Sequence, residues 1–112
     1  VPSVMDRPDE ARRVKVQKDL RGLQSALKMY RLDNFRYPVQ AQGLNALVNK
    51  PSDAGNWKGP YVEMLPQDPW GNPYRYAIPG HYGRAFDVYS YGADNREGGE
   101  GPDEDIGSWE LK

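Results

Sequence analysis

The sequence predicts an α+β fold: a long N-terminal helix packed on a small antiparallel sheet, with long ordered loops between. Three observations predict it. After Pro8 no proline interrupts the chain as far as Leu32, and apolar residues fall at Val16, Leu20, Leu23, Leu27 and Tyr30, spaced alternately by four and three. That spacing is one stripe of an amphipathic helix. Two later segments, "YRYAI" and "FDVYSY", alternate between faces as strands do. Most of the 12 glycines and 10 prolines follow Pro38, so the second half is rich in turns.

The helix is expected over about 8–33. Asp6 can cap its start, with Pro8, Asp9 and Glu10 in the first turn. Ala26 flanks the apolar stripe, and Arg13, Lys18, Arg21 and Lys28 lie on the opposite face. The helix should fail at "LDNFRYP", where Asn34 can turn and Pro38 forbids continuation. In the loop region, 34–73, "AQGLNALVNKP" predicts a short second helix from Gln42 to Asn49 that buries Leu44, Leu47 and Val48 and is ended by Pro51. "DPWGNP" reads as paired turns, since Pro69 presets φ while Gly71 and Asn72 tolerate left-handed geometry. Strands are expected at Tyr74–Ile78 and Phe86–Tyr91, joined by a hairpin through "PGHYGRA", with a short last strand from about Ile106 to Leu111. Tyr74, Tyr76 and Ile78 should share one face, and so should Phe86, Val88 and Ser90, with Asp87, Tyr89 and Tyr91 opposite. The whole of 1–112 is read as one domain, near the common domain size.

A net charge of −1 provides no field to recruit nucleic acid or anionic lipid. Without cysteine, disulfides, thiolate metal sites and thiol chemistry are excluded. No apolar run approaches the roughly 20 residues of a bilayer span. The chain opens at "VPSVMDRPDEARR" without a recognisable signal peptide. Neither a nucleophile motif nor a phosphate-binding glycine loop is present. The single histidine, His81, is expected to be a solvated loop residue, and alone it makes a zinc site improbable. No enzyme activity and no small-molecule substrate are expected. The aromatics read as packing residues of the sheet more readily than as a stacking platform.

The unusual feature is the segment "YGADNREGGEGPDEDIGSWELK". Asp94, Glu97, Glu100, Asp103, Glu104 and Asp105 crowd one glycine-rich stretch that holds a single cation, Arg96. One reading is a solvated charge run. The other is a site for a hard cation. The run is tethered by a strand on one side and by Ile106 and Trp109 on the other. Gly98, Gly99 and Gly101 allow sharp turns that bring carbonyls and carboxylates together. Unscreened like charges would oppose folding, and an all-oxygen donor set in a loop suits Ca²⁺ better than Mg²⁺. The EF-hand pattern does not fit, because Arg96 stands where that loop needs its third-position oxygen donor.

In order and spacing, "LDNFRYPVQAQGLNALVNKP", "LPQDPWGNPYRY" and "FDVYSYGADNREGGEGPDEDIGSW" resemble the major pseudopilin family of the bacterial type II secretion system. The resemblance covers essentially the whole chain. It implies a type IV pilin-like fold and a structural role: the family's subunits self-assemble into a pseudopilus, a periplasmic helical filament that pushes folded proteins through the outer membrane. It implies partners among the minor pseudopilins and the inner-membrane secretion platform. It also implies a cleaved leader and an apolar helix ahead of Val1, anchoring a periplasmic domain to the inner membrane. It further implies Ca²⁺ bound in the loop between the last strands. Carried over by motif, the ligands are the carboxylates of Asp94 and Asp105, the backbone carbonyls near Tyr91 and Arg96, and Asp103 as third carboxylate, with Glu104 and Glu100 as alternatives. The family often has leucine where Tyr91 stands, a change that a backbone ligand tolerates. Two other classes compete with this reading: a type IV pilin subunit, disfavoured by the absence of cysteine, and a calcium-dependent extracellular binding module.

Overall fold

A computed structural model describes residues 6–111. Helix α1 spans Arg7–Asn34. Its start follows from local chemistry: Asp6 Oδ1 accepts the N–H of Asp9 at 3.0 Å, Pro8 occupies the first turn, and Asp9 and Glu10 face the positive end of the helix dipole. The residues of "VPSVM" lie outside those described. The expected stripe is the buried face: Val16, Leu20, Leu23, Ala26, Leu27 and Tyr30. The end differs by one residue from expectation. Asn34 stays helical and donates its side-chain amide to the Tyr30 carbonyl, while Phe35 takes the left-handed cap at φ 65° and bonds the Arg31 carbonyl.

The second helix is shorter and tighter than expected, a 3₁₀ helix over Gly43–Leu47 that buries Leu44, Ala46 and Leu47. Val48 is only half-buried. Gly43 enters at φ 60°, and the Asn45 carbonyl takes the N–H of both Val48 and Asn49. Five residues that begin at a left-handed glycine leave no room for an α-helical ladder.

Three short strands form an antiparallel meander: β1 Arg75–Ala77, β2 Asp87–Ser90 and β3 Ile106–Gly107, in the order β1-β2-β3. Tyr76 pairs with Val88, and Ser90 with Ile106. One face packs on α1 through Tyr74, Tyr76, Phe86, Val88 and Ile106. Two of the buried phenols are satisfied, Tyr74 donating to Asp19 at 2.7 Å and Tyr76 to the Pro38 carbonyl at 2.7 Å, whereas the Tyr30 hydroxyl is buried without a partner among the described residues. Burial holds Tyr74 and Tyr76 far above the ordinary phenol pKa, so both remain neutral donors.

Two expectations need correction here. The last strand stops at Gly107, and Ser108–Glu110 turn into a 3₁₀ helix. Ser108 Oγ accepts the Val88 N–H at 3.0 Å, a bond that a continuing ladder would have taken up differently. Trp109 then folds back against Gly107, where a Cβ would lie 2.3 Å from the indole. The second correction is Asp87, assigned to the outer face with Tyr89 but fully buried. Its Oδ2 accepts the His81 N–H at 2.6 Å and lies 2.7 Å from His81 Nδ1. His81 is therefore not a free loop histidine. It closes the β1–β2 hairpin onto a buried carboxylate, although its ring remains largely exposed.

Candidate functional site

The segment from Tyr91 to Asp105 leaves β2 and returns to β3 as a closed loop. Its entry is fixed by Ser90, whose hydroxyl accepts the Gly92 N–H at 3.0 Å and donates to Asp68 at 2.9 Å. Asp68 is buried, and its other oxygen accepts the N–H groups of Trp70 and Asn72. One carboxylate thus folds the "DPWGNP" turn and ties it to the mouth of the acidic loop.

Inside the loop the chain closes on the main chain of Asp103. The Ala93 N–H bonds the Pro102 carbonyl at 2.9 Å. A Cβ on Gly92 or Gly99 would lie 2.7 or 2.5 Å from backbone atoms of Asp103, and both glycines have left-handed φ, 81° and 95°. Gly98 is also left-handed, at 87°, but faces open space. The contrast is testable. Gly99→Ala is expected to destabilise by about 2 kcal/mol or more, from strain plus overlap, and Gly98→Ala by about 1 kcal/mol from strain alone. Urea unfolding of the two variants measures the difference.

Asp94 Oδ1 accepts the Arg96 N–H at 3.1 Å. Both oxygens of Asp105 face the Gly98 N–H, at 3.1 and 3.0 Å. Asp103 lies at the closure, while Glu97, Glu100 and Glu104 are exposed. The loop therefore gathers Tyr91, Asp94, Arg96, Asp103 and Asp105 into one closed segment. Among the described residues, however, no three Asp, Glu or His side chains converge into a group placed to hold a metal ion. The carboxylates of Asp94 and Asp105 are each turned to a backbone N–H.

Arg13, expected on the face of α1 opposite the apolar stripe, joins α1 to the loop and the tail. It lies 3.7 Å from Glu104 and 3.1 Å from Glu110. Burial raises the Glu110 pKa, Arg13 opposes the rise and Glu104 adds to it. Its folded pKa lies above the unfolded one. The stabilising contribution is therefore complete below the ordinary carboxyl value of 4.5 and is lost as pH rises through the folded pKa. Glu110→Gln removes that loss, so the variant's stability relative to the parent should improve between pH 4 and pH 7. Paired urea titrations at the two pH values check the sign.

Residues 3–109 match the family model for protein G of the type II secretion system. The chain belongs to the type II secretion system protein G family. Core protein G of Pseudomonas aeruginosa is 52% identical over 114 residues, covering 98% of this chain and 80% of that protein. The Vibrio cholerae core protein G is 45% identical, with 78% of its length covered. The fold agrees with the crystal structure of the major pseudopilin from the type 2 secretion system of enterohaemorrhagic Escherichia coli. That comparison gives a TM-score of 0.84 at 46% identity, covering 99% of this chain and 97% of that one. The pilin-like helix on a three-stranded sheet is therefore a family architecture. Among the described residues, no helix is long and apolar enough to cross a membrane.

Asp68 and Asp87 were not marked by the sequence reading. Each had a signal: Asp68 precedes a Pro-x-Gly turn, where an aspartate commonly accepts backbone N–H groups, and Asp87 sits between the apolar Phe86 and Val88.

Proposed function

We propose that this chain is a structural subunit of the type II secretion pseudopilus, a periplasmic filament that drives export of folded proteins. The observation that carries this reading is the agreement of nearly the whole chain with the major pseudopilin fold. Self-assembly uses head-to-tail contacts that propagate without closing. The minor pseudopilins and the inner-membrane platform are the partners, and the family's apolar helix is the inner-membrane tether.

The C-terminal loop is proposed as the part whose shape is set by a hard divalent cation, Ca²⁺. The donor chemistry fits: within 91–105 the candidate ligands are all oxygens, and the acids carry a charge that a dication offsets. The residues that would hold it are Asp94, Asp103 and Asp105, with the carbonyls of Tyr91 and Arg96. The chain's own contribution is closure: Gly92 and Gly99 pack on Asp103, Ser90 and Asp68 fix the entry, and Arg13 neutralises Glu104.

The test is complementation. Full-length protein bearing this domain, supplied to a strain lacking its own protein G, should restore secretion and form filaments visible by electron microscopy. Dispersed subunits and no secretion contradict the proposal.

A further inference from the structure

Beside the acidic loop lies a cavity of about 220 Å³, lined by His81, Tyr82, Tyr89, Tyr91, Trp109 and the acids Glu97 and Asp105. The four larger rings line it at mutual tilts. Tyr89 lies 5.4 Å from Tyr91 and 5.7 Å from Trp109, and Tyr82 lies 6.3 Å from Trp109, centroid to centroid. Two further observations point to a ligand. Tyr82 is 80% exposed and holds φ 59°. A left-handed backbone is disfavoured for a bulky residue, so a large ring is presented where glycine would sit more easily. Glu97, at the rim, has no ion-pair partner among the described residues. Electron-rich ring faces with a carboxylate at the edge recognise an organic cation, whose apolar stem stacks on the rings while its charge meets both. Tyr91 already makes one such contact within the chain, with the Arg75 guanidinium 4.2 Å from its centroid.

We propose that this cavity receives a lysine or arginine side chain from a second copy of this chain. The occupant is argued from charge. Lys18, Arg21 and Lys28 are exposed on α1 and have no ion-pair partner among the described residues, while the cavity rim is acidic. The choice of a second copy rests on the filament reading above; the cavity's chemistry does not.

The experiment follows the indole N–H signals by NMR at constant Ca²⁺. Trp57, whose Nε1 donates to the Ala46 carbonyl, is the internal control. The probes are acetyl-lysine methylamide and its uncharged isostere acetyl-norleucine methylamide. The Trp109 signal should move saturably with the lysine probe, at least three- to tenfold more tightly than with the norleucine probe. Tyr82→Ala and Glu97→Gln should each weaken binding severalfold without moving Trp57. The same signal should shift with rising protein concentration, and Tyr82→Ala should remove that shift. No response to the lysine probe, or an equal response to both probes, overturns the cavity assignment. A response to the probe with no dependence on protein concentration overturns the second copy as its source. Failure of complementation by the parent chain would overturn the filament reading and leave the probe titration standing.

Discussion

Asp68→Ala is expected to destabilise the domain by roughly 2–4 kcal/mol. The carboxylate is buried and accepts three hydrogen bonds, from the N–H groups of Trp70 and Asn72 and from the Ser90 hydroxyl. Alanine leaves one buried donor, the Ser90 hydroxyl, and two half-buried ones without this acceptor, and an unsatisfied buried donor costs its desolvation energy. The damage should spread beyond the turn, because Ser90 also holds the Gly92 N–H at the mouth of the acidic loop. Asp68→Asn keeps an acceptor for the two backbone donors but disturbs the bond from Ser90, so it should fall between parent and alanine. Urea unfolding with the three proteins orders them. A loss under about 0.5 kcal/mol for the alanine variant would mean that the turn and the loop fold independently of this carboxylate.

The second large effect concerns the loop acids. If Ca²⁺ binds only the folded loop, a hundredfold excess over Kd stabilises the domain by about 2.7 kcal/mol. Asp105→Ala and Asp94→Ala should each abolish most of that gain while leaving α1 intact by circular dichroism. Without calcium the two should differ modestly. Asp105 accepts the Gly98 N–H with both oxygens, whereas Asp94 accepts one N–H from its own turn, so Asp105→Ala should be the weaker fold in EGTA. Equal calcium-induced stabilisation of parent and both variants would remove these two residues from the ligand set.

The helix was legible because its signal is redundant. The four-three stripe from Val16 to Tyr30, the Asp6 cap and the proline limit all specify the same element, and the buried face agrees residue by residue. The β1–β2 pairing was legible from alternation, since Tyr76 and Val88 face the same core. What escaped was set by single side chains acting across the chain. Nothing local says that Ser108 will take the Val88 N–H and end the last strand, or that Trp109 will fill the space above a residue without a Cβ. Asp87 defeated the alternation rule because it bonds His81 in the preceding hairpin loop, which makes its burial tolerable. The loop's existence and its chain of acids were readable. Its closure on the Asp103 backbone depends on left-handed glycines whose partners lie several residues away.

The most direct test of the loop as a cation-closed structural element is a thermal melt of this domain in EGTA, then with millimolar Ca²⁺, then with the same concentration of Mg²⁺. A rise of several degrees with Ca²⁺ and little with Mg²⁺ is the expected result, given the flexible, oxygen-only donor set. Identical melting in all three conditions would contradict it and return the six acids to a solvated run on a pseudopilin fold.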